Sequence, residues 1–292
     1  MDRQNSAALP AGVTRRVREY LALLKTEDAT FVQGVYLVGS VALGDFQGGL
    51  SDIDFVALVA DPPSKSQLQS LARIHAAMAA SEGPHFDGFY IERAKLGRVP
   101  ALNEQAPFSV NGVFRAGDLC FEINPATWLC LAEHGIAVRG SPPQTFAVAT
   151  DPAALVAFQI NNLRTYWEPW IEQGSTALAR KTADEAVDAA VLAWGVLGSL
   201  RVACTLGTRR IVSKSEAGQW GLNQYPAQWH SVIQDALLVR SGKVTELSVS
   251  RCLDGLKLMR YVVADALTAA KVWPERRTAP CAAHGGKLPD GL

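Results

Sequence analysis

Residues 35–59 read VYLVGSVALGDFQGGLSDIDFVALV, and this stretch decides the fold. Val35-Tyr36-Leu37-Val38 is a short apolar run stopped by Gly39-Ser40, the pattern of a buried strand. A connection rich in glycine (Gly44, Gly48, Gly49) leads to Ile53–Val59, which reads as a second strand ended by Asp61-Pro62-Pro63. Asp52 and Asp54 stand two apart on that strand, so both project from one face. Two carboxylates side by side at the end of an apolar strand repel each other unless a cation sits between them. Mg2+ suits such a site, because it takes carboxylate oxygens together with substrate phosphates. Gly39 lets backbone approach a ligand closely, and the Ser40 hydroxyl and nearby amides can donate to phosphate oxygens. One strand end thus offers phosphate donors and its neighbour offers metal ligands. Together they would hold a metal-bound triphosphate for in-line displacement by an acceptor hydroxyl. The plainer reading makes Ser51-Asp52 a turn or cap fragment and Asp54 a stray acid. A bare Asp-x-Asp would not decide between them, but Gly-Ser, a glycine-rich connection and alternating carboxylates between two apolar strands favour the chemical reading.

Working outward, Val13, Val17, Tyr20, Leu21 and Leu24 fall at helical spacing within residues 11–30. Lys65, Leu68, Leu71, Ile74 and Met78 predict a helix over 65–80, and Phe86 to Glu92 a third strand. Residues 93–117 are poorly patterned. Leu119 to Ile123 reads as a further strand, and Pro125 to His134 as a helix. Ser141-Pro142-Pro143 and Asp151-Pro152 mark a domain boundary. Beyond it the pattern is helical, with helices expected over 152–172, 183–206, 214–220, 226–240 and 247–273, the second capped by Thr182 with Asp184 and Glu185 in its first turn. The fold class is therefore an α/β (α+β) domain with a mixed sheet over residues 1–150, then an all-helical domain over 151–275. Residues 276–292 form a loose tail.

Composition narrows the function. The 292 residues are 48% hydrophobic and 19% charged, ordinary for a globular chain with real cores. Lys plus Arg is 28 and Asp plus Glu is 28, and this neutral balance argues against a nucleic-acid partner gripped by its phosphates. The five cysteines (Cys120, Cys130, Cys204, Cys252, Cys281) include no CxxC pair and no histidine at ligand spacing. Reduced thiols in a cytoplasmic protein are expected, not a disulfide framework or a zinc site. The first residues hold no apolar run of the signal-peptide kind, and no stretch is read as reaching the roughly 20 apolar residues of a membrane-spanning helix.

The Gly39-Ser40 … Asp52-Ile53-Asp54 segment resembles the signature of the nucleotidyltransferase superfamily. The chain as a whole resembles the bacterial aminoglycoside adenylyltransferases that inactivate streptomycin and spectinomycin. Phe86-Asp87-Gly88-Phe89-Tyr90 resembles that family's third carboxylate strand. Leu200-Arg201 and Ser213-Lys214 resemble its helical-domain segments, and Tyr225-Pro226-Ala227-Gln228-Trp229 its Leu-Pro-x-x-Tyr/Trp turn. The resemblance implies that Asp52 and Asp54 bind Mg2+, and that Asp87 is a third metal ligand or the general base on the acceptor hydroxyl. The family position is usually Glu, so Asp87 reaches one methylene less far. An Asp-Gly hairpin turn at Asp87-Gly88 is the competing reading of that residue. Arg201 and Lys214, otherwise solvated helix charges, would reach the phosphates of ATP from the helical domain, with ATP and Mg2+ lying between the two domains. Arg209 and Arg210 are spare cations.

The implied activity is Mg2+-dependent transfer of AMP from ATP to a hydroxyl of an aminoglycoside or aminocyclitol, with release of pyrophosphate, in an antibiotic-resistance enzyme. The expected partner is a cationic antibiotic, in a pocket of carboxylates and aromatic walls: Trp167, Glu168, Asp184 and Asp188, the last two read as one helical turn apart. Aromatics at this spacing are more often helix core than a sugar platform, which is the competing reading of Trp167. Other acceptors (another small molecule, a protein or an RNA end) and a non-catalytic nucleotide-binding role are the rival readings. Monomer and homodimer are both open.

Overall fold

The computed structural model describes residues 9–102 and 104–270. The expectations for the tail, for Cys281 and for the first eight residues fall outside the described residues. The chain divides into two compact units between Asp151 and Pro152.

The first unit runs α1 (Ala11–Thr26), β1 (Val32–Leu37), α2 (Gly39–Ala42), β2 (Ile53–Val59), α3 (Lys65–Ala80), β3 (Phe86–Glu92), β4 (Phe108–Val110), β5 (Val113–Arg115), α4 (Pro125–His134) and β6 (Ile136–Arg139). The strands make one sheet in the order β5-β4-β3-β2-β1-β6. It is mixed, as the sequence predicts. β2 and β3 are parallel, whereas β1 lies antiparallel to β2 and to β6, and β4 to β3 and β5. A parallel pair needs a crossover, and α3 supplies it. Its start is a capping box: Gln67 N donates to Ser64 Oγ at 3.3 Å and Ser64 N donates to Gln67 Oε1 at 2.8 Å.

Strand alternation then assigns the two faces. Ile53, Phe55, Ala57 and Val59 of β2, with Phe86 and Tyr90 of β3, share one buried core with Val13, Val17, Tyr20 and Leu24 of α1 and Leu71, Ile74 and Met78 of α3. The residues between them (Asp54, Val56, Leu58 and their register partners Asp87, Phe89, Ile91) belong to the other face. There Trp128 of α4 stacks on Phe89 with ring centroids 6.0 Å apart.

The core of the first face contains a polar chain. His75 is 1% exposed and sits between the rings of Phe55 and Phe114. Its Nε2 is 2.8 Å from the Tyr90 hydroxyl, which is 2.6 Å from that of Tyr20. Burial pulls the imidazole down from 6.5 to about 3, so it stays neutral in the fold. The unfolded chain takes up that proton below pH 6.5, and the stability tied to the neutral ring is full above 6.5 and is lost as pH falls toward 3. Urea unfolding should lose about 1.4 kcal/mol per pH unit in that window from this group. His75→Gln, which keeps a hydrogen-bonding side chain but takes up no proton, should flatten the slope.

Sequence and structure part in three places here. Residues 93–117, read as poorly patterned, contain the hairpin β4–β5. Val110 pairs with Val113 across Asn111 (φ 53°) and Gly112 (φ 72°), a two-residue Asn-Gly turn of the type I′ kind. Leu119–Ile123 is not a strand: among the described residues its ladder contact is a single bridge from Leu119 to Gln105. Asp87-Gly88 is not a hairpin turn but lies inside β3, in parallel register with β2.

The second unit runs α5 (Pro152–Asn162), a π-helical turn over Leu163–Trp167, α6 (Glu168–Leu178), β7 (Ala186–Asp188), α7 (Ala189–Thr208), α8 (Lys214–Gln224), α9 (His230–Arg240), β8 (Glu246–Ser248) and α10 (Val249–Ala270). The single helix expected over 152–172 thus extends to Leu178 with the π turn inserted. The unit is helical but not wholly so. β7 and β8 pair antiparallel through Ala186–Ser248, Val187–Leu247 and Asp188–Glu246, so the helix expected from 183 begins only at Ala189. Pairing with a distant segment overrides the helical propensity of that stretch. α7 forms the buried centre, with Leu192, Val196, Leu197 and Leu200 in a core shared with Ile171, Ile233, Leu258 and Val262. Contrary to the sequence expectation, its 20 residues are long and apolar enough by composition to cross a membrane, but most of them are buried inside the unit as its core helix.

Candidate active site

The carboxylates converge because β2 and β3 run in parallel register. Asp54 and Asp87 are direct partners across that pair, on the face away from α1 and α3. Contrary to the sequence expectation, Asp52 does not share β2 with Asp54 but sits exposed one residue before the strand. The approach to it is tied down locally: Gln47 N donates to Ser51 Oγ at 3.1 Å, Ser51 N to the carbonyl of Gln47 at 2.9 Å, and Ile53 N to the carbonyl of His85 at 2.9 Å. The last bond couples the start of β2 to the residue two before Asp87.

Gly39-Ser40 does not end a strand. β1 stops at Leu37, Val38 N donates to the Asp54 carbonyl at 3.0 Å, and Gly39 opens the four-residue helix α2 with φ at 59°. A Cβ added at Gly39 would lie 2.0 Å from Asp54 Oδ2. The glycine therefore serves two ends, a left-handed backbone and room for a carboxylate. Gly39→Ala should cost about 1 kcal/mol of stability for the backbone conformation. Displacing Asp54 should lower turnover about 100-fold, since ångström errors at reacting groups cost that much. Thermal melting and steady-state rates separate the two effects.

Asp87 is 8% exposed. Its Oδ2 accepts from the backbone N–H of Asn111 at 2.8 Å, and its Oδ1 is buried with no hydrogen-bond partner. Burial raises this carboxyl to about 6 against the opposing Asn111 N–H, with the charge of Asp52 pushing the same way as burial and His85 and the Gly112 N–H opposing. A carboxylate so placed is a stronger base than a free one and is still ionised at neutral pH. The hydroxyl of Ser40 is a second buried polar atom without a partner. Sequence reasoning missed the contribution of Asn111, although Asn-Gly flanked by apolar residues signals this turn.

Among the described residues, no three His, Cys, Asp or Glu side chains are arranged to hold a metal ion by themselves. The expected three-carboxylate set of Asp52, Asp54 and Asp87 is therefore not a closed cage. Mg2+ asks for less, usually one or two carboxylates with the remaining oxygens from substrate phosphates and water. Asp54 beside a glycine cut to its carboxylate, exposed Asp52, and the unpartnered oxygens of Ser40 and Asp87 fit a metal–phosphate group of that kind.

In the helical unit, Arg201 is exposed on α7 and half-buried Lys214 is the first residue of α8, behind Ser213, whose Oγ accepts from Glu216 N at 3.1 Å. The spare cations lie at the end of α7 and just after it. Arg210 pairs with Glu216 at 3.5 Å and Arg209 ends α7 in a left-handed conformation (φ 60°). The expected acceptor residues have different surroundings. Trp167 is 4% exposed and belongs to the core, because its ring fills the space left by Gly198, where a Cβ would meet it at 2.5 Å. Glu168 is exposed in the first turn of α6. Asp184 and Asp188 are not one helical turn apart. Asp184 is exposed ahead of β7, and Asp188 ends β7 and caps α7, accepting from Ala190 N at 2.8 Å. A cavity of about 550 Å3 in the first unit, lined by Gln33, Ala60, Arg93 and Phe146 among others, lies at the Val32–Val59 end of β1 and β2. It contains none of the candidate residues.

Residues 17–106 match the family model described as a nucleotidyltransferase domain, and residues 168–263 match that of the aminoglycoside adenylyltransferase C-terminal domain. The fold is similar to the crystal structure of spectinomycin adenyltransferase from Enterococcus faecialis with ATP and spectinomycin, at 14% sequence identity and a TM-score of 0.65, covering 87% of this chain and 99% of that one. No curated protein matches the sequence.

Proposed function

Because the chain is a nucleotidyltransferase that resembles the aminoglycoside adenylyltransferases, we propose that it transfers AMP from ATP to a hydroxyl of an aminoglycoside or aminocyclitol antibiotic. The observation that carries the reading is the pairing of Asp54 with Asp87 across β2 and β3, beside a glycine shaped to Asp54 and two buried oxygens left without partners. ATP as co-substrate and a cationic antibiotic as acceptor are supported by the similar enzyme, which was solved with ATP and spectinomycin.

In this reading Asp52 and Asp54 hold Mg2+, which when bound neutralises charge on the phosphates and on the departing pyrophosphate. Ser40 and its neighbouring amides donate to phosphate oxygens. Arg201 and Lys214 offset the negative charge of the triphosphate. Asp87 takes the proton of the acceptor hydroxyl as its oxygen bonds to the α-phosphorus, and the bond from that phosphorus to pyrophosphate breaks. Catalysis here is positioning and charge stabilisation, for which a rigid strand pair is a suitable mount. The four described cysteines are buried thiols, and the cytoplasm is the proposed compartment.

The test is pyrophosphate release by purified protein with ATP and Mg2+ against streptomycin, spectinomycin, kanamycin, hygromycin and a lincosamide. Release with one or two of them is expected. Silence across the panel with ATP binding intact would overturn the antibiotic acceptor and turn the search to other hydroxyls.

A further inference from the structure

The tryptophans of the helical unit differ in burial. Trp167 and Trp170 are core, each 4% exposed. Trp194, on α7, is only half-buried, and its ring carries the Lys214 ammonium at 5.6 Å from the centroid. That distance lies within the range of cation–π attraction, for which indole is the strongest side-chain partner.

The ring packs against three others. Its centroid lies 5.0 Å from that of Trp167, 5.8 Å from Trp170 and 5.8 Å from Tyr166. Two features of the chain make that convergence possible. The π turn over Leu163–Trp167 shifts the helical phase just where Tyr166 and Trp167 emerge. Gly195 and Gly198 of α7 admit the rings of Trp170 and Trp167, where a Cβ would meet ring atoms at 2.7 and 2.5 Å. The Trp194 face is thus a fixed surface. Positions 194, 198 and 201 also share one stripe of α7, so Trp194 lies on the same side of the helix as Arg201.

Lys214 itself is oddly placed. It is the first residue of an 11-residue helix, where the dipole disfavours a cation. The negative face of an indole works against that cost and narrows the directions open to a four-carbon side chain. We infer that Trp194 is a positioning residue for the nucleotide: its indole face holds the Lys214 ammonium in place to meet the polyphosphate. This rests on the reading, given above, that Lys214 binds phosphate.

The experiment is titration of the full-length protein with ATP in Mg2+ buffer, comparing the parent with Lys214→Ala, Trp194→Leu, Trp194→Phe and the Trp194→Leu/Lys214→Ala double variant. Lys214→Ala should weaken binding 10-fold or more, by about 1.4 kcal/mol. Trp194→Leu should weaken it about 3- to 10-fold, Trp194→Phe less than about 3-fold because an aromatic face remains, and Trp194→Leu should add almost nothing once Lys214 is gone. If Lys214→Ala binds poorly while Trp194→Leu binds as the parent does, or if Trp194→Leu costs as much without Lys214 as with it, the positioning role is overturned and the phosphate reading stands. If Lys214→Ala binds ATP normally, the phosphate reading falls, and the inference with it. Should Trp194→Leu not fold, Trp194→Phe in the two backgrounds decides: a small loss beside Lys214 and none without it is the supporting pattern, and equal losses overturn it.

Discussion

Asp54→Asn should lower the rate of pyrophosphate release about 1,000-fold or more while leaving the protein folded. The change swaps one carboxylate oxygen for an amide of the same size, so nothing in the packing of β2 is disturbed. It removes the negative charge of the residue that pairs with Asp87 in the register of β2 and β3. Stability should change little, read as a melting temperature close to the parent's. The loss falls on the transition state, where the carboxylate would anchor the cation that spreads the developing phosphate charge, an effect worth about 4 kcal/mol in rate. Near-full turnover of the folded variant would end the assignment of Asp54 to the metal, and with it the central claim about the site.

Gly88→Ala should do the opposite, destroying the fold before any question of rate arises. A Cβ at Gly88 would sit 2.0 Å from the backbone oxygen of Phe55 on the neighbouring strand. Backbone oxygen cannot swing aside as a side-chain tip can, so β2 and β3 would have to part or slip. They are central strands of the sheet and carry Asp54 and Asp87. The expected cost is about 3–5 kcal/mol, enough to leave little of a marginal stability and to send the protein to the insoluble fraction. Gly48→Ala is the control. No atom lies within 4 Å of a Cβ there, and it should melt within a degree or two of the parent. Equal behaviour of the two variants would show that the close approach of β2 and β3 at Gly88 is not a constraint.

The two strands around the motif, the crossover helix and the third strand at Phe86 were legible in the sequence because each has a strong local pattern: an apolar run, a 3.6-residue period or a glycine stop. The hairpin of β4 and β5 was missed because its strands are three residues each, too short for any period, even though Asn111-Gly112 announced the turn. The start of α7 was misplaced by six residues, from 183 to Ala189, because Ala186–Asp188 joins a ladder with Glu246–Ser248 nearly 60 residues away. Local propensity carries no information about a partner that remote.

By itself the sequence determined the fold class and the enzyme class: a mixed-sheet nucleotidyltransferase domain followed by a helical one, signalled by Gly39-Ser40 and Asp52-Ile53-Asp54 between two apolar runs. That information is local, since it lies in residue types and spacing within one short stretch of chain. Tertiary structure decided how those groups are used. Whether Asp87 was a turn residue or a strand residue depended on parallel register with β2, and its rise to about 6 depended on burial and on a hydrogen bond from a turn 24 residues later. Whether a tryptophan served core or function depended on which ring was covered, and that followed from a π turn and two glycines on a different helix. Burial, register and ring packing arise from contacts between distant segments, so they appear only once the chain has folded.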